Sequence, residues 1–311
     1  MKQTISIVIP SFNEESNIEV MVNALHDVMQ KLAYNYRLVF VDDGSSDNSL
    51  NVLENLSKAD SRLFYIELTR NFGHQNALKA GVDMVKDNSD AVITMDGDMQ
   101  HPPTLIPDLI KKWEEGYDVV YTIREEDKAL SYFKNKTSKG FYSLMNKLSE
   151  VKFEPGTADF RLMDKRVANV FADFSENELF IRGIINWIGF RQFAINYQPH
   201  ARFSGKSKYT IGKMFRFALQ GITSFSTRPL HIAIFLGLAL SLFAFLFYVI
   251  YVIYSIYYGH VISGWASVIS TVVFFGGLNL IVLGIIGIYI GKLFIQSKGR
   301  PNYLIRNSNY K

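Results

Sequence analysis

Between residues 5 and 122 the apolar positions switch repeatedly between two periods. Short apolar runs at residues 5–10, 36–41, 63–68, 91–95 and 119–122 have the length and the bounding turn residues of buried strands. Between them apolar residues recur at helical steps, as with Ile18, Met21, Val22, Leu25, Val28, Met29 and Leu32. Helices are predicted over residues 15–32, around Leu50, Val52, Leu53 and Leu56, and over residues 76–85 and 105–113. Strand and helix in alternation predict a mostly parallel sheet covered on both faces. Ligands of such sheets gather outside the carboxyl ends of the strands.

Three polar clusters fall at those ends: Asn13 with Glu14, Asp42 with Asp43, and Asp96 with Asp98. Each alone is ordinary loop chemistry, but together, on strands that a parallel topology can make neighbours, they predict a shared nucleotide site. Alternate residues of an extended segment point the same way, so Asp96 and Asp98 can share one hard cation while Gly97 lets the backbone come close. Magnesium or manganese held by one or two carboxylates completes its shell with water and phosphate oxygens, which suits a nucleotide diphosphate. Asp-Gly-Asp is also a common turn sequence, and taken alone it supports either reading.

Further on, a helical pattern over residues 132–148 carries Phe133, Phe141, Leu144, Met145 and Leu148 with Lys134, Lys136 and Lys139, either a solvated basic face or part of a site. Residues 156–164 set Asp159 and Arg161 just before another helical pattern. In Arg202-Phe-Ser-Gly-Lys-Ser-Lys-Tyr209, the cations Arg202, Lys206 and Lys208 stand among small residues and hydroxyl donors and can wrap a phosphate. Ile211, Met214, Phe215, Ala218, Leu219, Ile222 and Phe225 then form an apolar stripe, with Lys213 and Arg216 off it, as in a helix lying in a membrane interface.

Residues 229–290 contain no Asp, Glu, Lys or Arg and hold two long apolar runs, about 232–254 and 266–290. A spanning helix needs roughly 20 apolar residues, so each run is long enough to cross a bilayer. Charge divides at the same part of the chain: the net charge is −9 up to Glu178 and +13 after it, where no acidic residue remains. Basic residues flank both runs on their outer sides while residues 258–265 between them carry none, so the runs are expected to form a hairpin with both termini cytoplasmic. A membrane explains the basic half better than nucleic acid does. The N-terminus shows no signal-peptide progression, so secretion is not expected. The chain has no cysteine, which excludes disulfides and thiolate chemistry. Its six histidines are too scattered for a zinc site.

The segments Ser6-Ile-Val-Ile-Pro-Ser-Phe-Asn-Glu14, Val41-Asp-Asp-Gly-Ser-Ser-Asp47, Arg70-Asn-Phe-Gly-His74, Asp96-Gly-Asp-Met-Gln100, Asp159-Phe-Arg-Leu162 and 202–209 resemble, in order, the motif series of family 2 glycosyltransferases. The branch resembled is the polyprenyl-phosphate glycosyltransferases, which include dolichol-phosphate mannosyltransferase and bactoprenol glucosyltransferases. The resemblance implies an α/β architecture: a GT-A catalytic domain, Rossmann-like with a mostly parallel sheet, over residues 1–209, then an amphipathic juxtamembrane helix (210–228), two transmembrane helices (229–294) and a basic cytoplasmic tail (295–311). It implies an inverting, metal-assisted hexosyltransferase, using Mg2+ or Mn2+, that moves a hexose from a nucleotide sugar to a polyprenyl phosphate for cell-envelope glycosylation. UDP-hexose is favoured over a GDP-linked donor.

Carried over residue by residue, it implies that Pro10, Phe12, Glu14, Asp42 and Asp43 hold the nucleoside, and that Asp96, Gly97, Asp98 and Gln100 serve metal and diphosphate, with Asp96, Asp98 and Gln100 as metal ligands. Arg124, Ser138, Arg161, Arg202, Lys206 and Lys208 are implied to face donor and acceptor phosphates. Asp159 is expected to orient Arg161 or the sugar, with proton acceptor as its other role. Two departures from the pattern stand out: His101 stands where many relatives have an Asp, and Ile288 and Lys292 where bacterial relatives often have Glu and Arg. A processive polysaccharide synthase would share the N-terminal motifs but add a Gln-x-x-Arg-Trp segment and more spans. A catalytically dead, membrane-anchored scaffold would have no need of the acidic residues found here. Neither sugar, base nor oligomeric state is legible.

Overall fold

The computed structural model describes residues 2–125, 146, 154, 156–177, 179–198, 223, 226–258 and 264–310. The expected helix over 132–148, Ser138, the segment 202–209 with Arg202, Lys206 and Lys208, and the stripe 211–225 lie outside the described residues.

Two units are formed. In the first, strands β1 (Thr4–Ser11), β2 (Asn35–Asp42), β3 (Leu63–Leu68) and β4 (Ala91–Thr94) alternate with helices α1 (Glu15–Met29), α2 (Ser49–Ala59) and α3 (His74–Val85). Beyond α4 (Ile106–Glu114) come β5 (Val119–Arg124), β6 (Thr157–Asp164), α5 (Lys165–Ala172), α6 (Ile181–Ile188), β7 (Gln192–Tyr197) and, from the tail, β8 (Ile305–Ser308). They build one eight-stranded sheet in the order β7-β5-β6-β4-β1-β2-β3-β8. The neighbours β4-β1-β2-β3 are mutually parallel, as the alternation predicts.

The middle strands are buried on both faces, which is why they read as continuous apolar runs rather than alternating ones. Ile5, Ile7 and Ile9 of β1 join Met21 and Leu25 of α1 and Phe40 of β2 in the core. Burying each such side chain stabilises by about 1.5–3 kcal/mol. On α3 the contact is closer: a Cβ on Gly81 would stand 2.2 Å from Val8 Cγ1, so only glycine lets this helix lie directly on β1.

Residues 157–164 form a strand where the sequence suggests only a short polar segment. β6 runs antiparallel to β4 and β5 and sits between them, pairing Thr94 with Arg161. Its reversed direction carries its first residues, Asp159 among them, to the carboxyl ends of its neighbours. Asp164 at its far end caps α5, accepting the Arg166 N–H at 3.0 Å.

The end of the basic tail joins the sheet of the first unit. β8 pairs antiparallel with β3. Tyr310 packs edge-on against Phe64 at 5.0 Å, Arg306 bonds Glu67 at 2.8 Å, and Tyr303 donates to Asp83 of α3 at 2.8 Å.

The second unit holds two long apolar helices, α7 (Arg228–Tyr258) and α8 (Trp265–Ser297), which contain the two apolar runs. Both are long and apolar enough to cross a membrane, and the apolar stretches of both are unburied. The hydroxyl of Tyr289, late in α8, donates at 2.7 Å to the carbonyl of Ser226, just before α7. The start of one helix therefore lies by the end of the other, as in a hairpin.

Candidate active site

The carboxyl ends of β1 and β2 are stitched together by short polar side chains. Asn13 adopts a left-handed backbone, φ 57°, and its Oδ1 accepts the N–H groups of Ser46 at 2.8 Å and Asp47 at 3.3 Å. Ser45 and Ser49 return the contact by accepting from Asn13 N–H and Glu14 N–H, each at 2.9 Å. Pro10 and Phe12 lie along this edge, Phe12 exposed, and Glu14 precedes α1 and accepts from Asn17.

Asp42 and Asp43 do different things. Asp42 Oδ2 accepts the Ser45 N–H at 3.1 Å, while its Oδ1 is buried without a hydrogen bond. Asp43 accepts the N–H groups of Phe72 at 2.7 Å and Gly73 at 2.9 Å, so both its oxygens are engaged with the 70–74 loop. Burial pushes both carboxyls up from their ordinary value, against the hydrogen bonds they accept. Gly44 completes the seat: it has φ 70°, and a Cβ there would stand 2.6 Å from the Arg70 carbonyl carbon. The result is a fixed 70–74 loop, which starts α3 at His74.

His74 reaches across to the third polar cluster. Its Nε2 lies 3.2 Å from Asp96 Oδ1 and 3.6 Å from Asp159 Oδ2. Burial opposes its charge, but the two carboxylates win and raise its pKa to about 10. Asp96 is buried enough to be pushed up, yet His101 and His74 hold it below its ordinary value.

The 96–101 loop is closed from inside by His101. Its Nδ1 accepts the Asp96 N–H at 3.0 Å, its Nε2 lies 3.5 Å from Asp96 Oδ2, and its ring stacks on Phe160 at 5.4 Å and meets Tyr197 edge-on at 5.9 Å. This histidine replaces an expected carboxylate with a buried loop anchor. Gln100 N–H bonds Asp98 Oδ1 at 3.1 Å, and Met99 takes φ 61° to make the turn. Gly97 lies against the Pro10 carbonyl, where a Cβ would come within 3.3 Å.

A divalent cation fits this donor set. Asp96 Oδ1 is buried with His74 Nε2 at 3.2 Å beside it but no well-formed hydrogen bond, which leaves room on that oxygen for a cation. Among the described residues no group of three or more His, Asp or Glu is arranged to hold a metal by itself. Asp96 and Asp98 therefore suit magnesium or manganese, which bind through one or two carboxylates and take the rest from phosphates and water.

Asp159, 4% exposed, is heavily engaged. It accepts from Arg161 Nη2 at 3.2 Å, from Arg182 Nε at 3.1 Å and Nη2 at 3.0 Å, and from Gln75 Nε2 at 3.3 Å. Burial alone would raise its pKa, but Arg182, His74 and Arg161 hold it well below the usual carboxylate range. Arg161 is itself enclosed, 1% exposed, and burial lowers its pKa to about 10. Arg124, exposed at the end of β5, shares with Asp96, Asp98 and Arg182 the electrostatic surroundings of Tyr197, whose hydroxyl burial raises to about 12.

The structure thus gathers Asp96, Asp98, Asp159, Arg161 and Arg124 at one edge, with the Asp42–Asp43 loop joined to them through His74. Sequence reasoning missed His74, Gln75, Arg182 and Tyr197. His74 stood inside a quoted motif; Arg182, one cation in an apolar helical stretch, gave no signal.

A profile of glycosyl transferase family 2 matches residues 6–172. The chain is 39% identical over 303 residues to the uncharacterized glycosyltransferase YkcC of Bacillus subtilis (strain 168), covering 97% of this chain and 93% of that one. It is 38% identical over 307 residues to the bactoprenol glucosyl transferase of Shigella phage SfV, covering 99% of both. Among solved structures, mannosyl-3-phosphoglycerate synthase from Rubrobacter xylanophilus overlaps 70% of this chain and 71% of that one, with TM-score 0.48 and 15% identity.

Proposed function

Because the chain belongs to glycosyltransferase family 2, we propose that it transfers a hexose from a nucleotide-diphosphate sugar, UDP-linked in preference to GDP-linked, to a polyprenyl phosphate. The observation that carries this reading is the meeting of Asp96, Asp98, Asp159, Arg161 and Arg124 at one sheet edge in a chain that also bears two unburied apolar helices. Relatives aligned over nearly the whole chain, the apolar helices included, bear the name bactoprenol glucosyl transferase, which supports a lipid-linked acceptor.

The reaction is a direct displacement with inversion. An acceptor phosphate oxygen bonds to the anomeric carbon, the bond from that carbon to the diphosphate breaks, and the nucleoside diphosphate leaves. No proton need be removed, because a phosphate monoester with a second pKa of about 6 is already largely a dianion at pH 7. A divalent cation on Asp96 and Asp98, with Gln100 beside them, would stabilise the charge on the leaving diphosphate. Pro10, Phe12, Glu14 and Asp42 line the nucleoside end, while Asp43 holds the 70–74 loop behind it. Arg124 serves the nucleotide sugar, and Ser138, Arg202, Lys206 and Lys208, which lie outside the described residues, are assigned to the acceptor phosphate from the resemblance to the family. Asp159 has its oxygens taken by guanidinium and amide donors, which favours an orienting role over that of a base.

The site works at the cytoplasmic face of the cell membrane. Support comes from the hairpin contact between Tyr289 and Ser226, and from β8, which returns the chain to the catalytic sheet after the second apolar helix. The product is a lipid-linked sugar for envelope glycosylation.

The test is a panel of sugar nucleotides offered to the purified protein with a short polyprenyl phosphate and Mn2+ or Mg2+. A UDP-hexose that sends its sugar into the organic phase is the expected result. Hydrolysis alone, or transfer to a soluble glycan, overturns the acceptor assignment.

A further inference from the structure

Asp159 is reached by a cation that none of the six motifs contains. Arg182 stands in the first turn of α6 and sets a two-point fork on the carboxylate, Nε on Oδ1 at 3.1 Å and Nη2 on Oδ2 at 3.0 Å. Gln75, in the first turn of α3, ties the same three parts together. Its Nε2 donates to Asp159 Oδ2 at 3.3 Å, and its Oε1 accepts the N–H of Ile181, the residue before Arg182, at 3.1 Å. The starts of two helices are thereby pinned around one buried carboxylate, with Arg161 closing the other side at 3.2 Å. Four N–H donors on two oxygens fill the acceptor sites a carboxylate offers in this plane.

We propose that Arg182 is a positioning residue for glycosyl transfer, acting through Asp159. Its fork fixes the direction of the Asp159 carboxylate and, through Gln75, the place of His74 against Asp96. The planar guanidinium is what the job requires, because two parallel N–H bonds set an angle that a single ammonium cannot. Without the fork Asp159 keeps Arg161 and Gln75 but loses two of its donors, both on the face toward α6. The carboxylate then turns, and the His74–Asp96 contact is no longer held at 3.2 Å. This inference rests on the transfer reaction proposed above, and it concerns turnover rather than substrate affinity.

The experiment uses the full-length protein in detergent or nanodiscs, with transfer to a short polyprenyl phosphate measured for Arg182→Gln, Arg182→Lys, Asp159→Asn and the double variant Arg182→Gln/Asp159→Asn. Expected are a fall in kcat of roughly 10- to 100-fold for Arg182→Gln with both KM values within about threefold, and only partial recovery in Arg182→Lys, on the scale seen when one charge-assisted positioning contact is lost. The double variant should be no worse than Asp159→Asn, since residues acting as a unit are non-additive. In a further variant, Arg182→Ala, which leaves space for a free guanidinium ion, the added ion should restore part of the turnover, whereas it should restore none to Asp159→Asn, a response that damage to the helix alone would not give. Unchanged kcat in Arg182→Gln overturns the proposal. So do additive losses in the double variant, and so does a rise confined to the KM for lipid phosphate, which would make Arg182 a substrate contact. If wild-type protein transfers no sugar to any polyprenyl phosphate, it is the parent reading that fails. Nucleotide-sugar hydrolysis by the same variants then still reads the Arg182–Asp159 coupling.

Discussion

Asp42 and Asp43 are adjacent in the sequence, yet one leaves a buried oxygen without a hydrogen bond and the other spends both oxygens on the backbone of a neighbouring loop. The same contrast separates Asp96 from Asp159. Asp96 Oδ1 has His74 Nε2 at 3.2 Å but no well-formed hydrogen bond, whereas Asp159 is saturated by two arginines and a glutamine. On that basis Asp96→Ala or Asp98→Ala should lower turnover by roughly 100-fold or more, the scale of losing one preorganised charge-stabilising group, while the protein stays folded. Turnover with varied Mn2+ and a thermal unfolding scan check both halves; full activity without added cation would return Asp-Gly-Asp to a simple turn. Asp164 gives a prediction for stability. Burial opposes its charge, but the Trp113 indole N–H at 2.9 Å and the Arg166 N–H and guanidinium, each at 3.0 Å, hold its pKa below the ordinary value. A carboxyl depressed in the folded state contributes stability that is fully present above its unfolded pKa of about 3.9 and is lost as pH falls from there through the folded value. Asp164→Ala should therefore cost about 1 kcal/mol near pH 7, as for other helix N-caps. The difference from wild type should shrink as unfolding is followed from pH 5 downward.

At the scale of elements, α3 links the core to the chemistry. Its middle lies on β1 through Gly81, its start presents His74 and Gln75 to the carboxylates, and its Asp83 receives Tyr303 from the tail. Gly81→Ala places a methyl group 2.2 Å from Val8 Cγ1 and must lift the helix or turn the valine. Overpacking of this kind costs about 1–3 kcal/mol. Turnover should fall with stability, because His74 and Gln75 move with the helix; a variant with lowered melting temperature and unchanged kcat would show that the start of α3 is held by the 70–74 loop alone. The parallel half of the sheet was legible because its strands are covered on both faces and so appear as uninterrupted apolar runs. β6 was not, since Asp159 and Arg161 interrupt its pattern and are buried because they pair with each other and with Arg182 and Gln75 from outside the strand. β8 was invisible for a different reason: Arg306, Asn307 and Ser308 carry no apolar period, and the strand exists by pairing with β3 and by the contacts of Arg306 and Tyr310. In the site, strand-end carboxylates announced themselves by position. Gln75 and Arg182 act across the fold from helix starts, where sequence spacing carries no signal.

At the scale of the whole chain, charge and hydropathy make a claim about sidedness. Thirteen basic residues and no acidic ones follow Glu178, and they flank the two apolar runs on their outer sides. By the positive-inside rule both flanks are expected in the cytoplasm and residues 259–264 on the other side, the arrangement proposed above. The sheet imposes the same condition independently. β8 hydrogen-bonds to β3, so the residues after the second apolar helix occupy the same compartment as the catalytic unit, which requires an even number of crossings. The absence of cysteine makes this directly measurable, because a single introduced thiol is the only one present. Ser263→Cys lies between the two helices and Lys311→Cys follows β8. In intact spheroplasts a membrane-impermeant maleimide should label Ser263→Cys at once and Lys311→Cys only after permeabilisation. Both variants should retain sugar transfer, which excludes misinsertion as the source of the pattern. Labelling of Lys311→Cys from outside in an active protein would mean an odd number of crossings and would be incompatible with β8 in the catalytic sheet. Equal protection of both positions would place the two apolar helices within the cytoplasmic leaflet rather than across the bilayer.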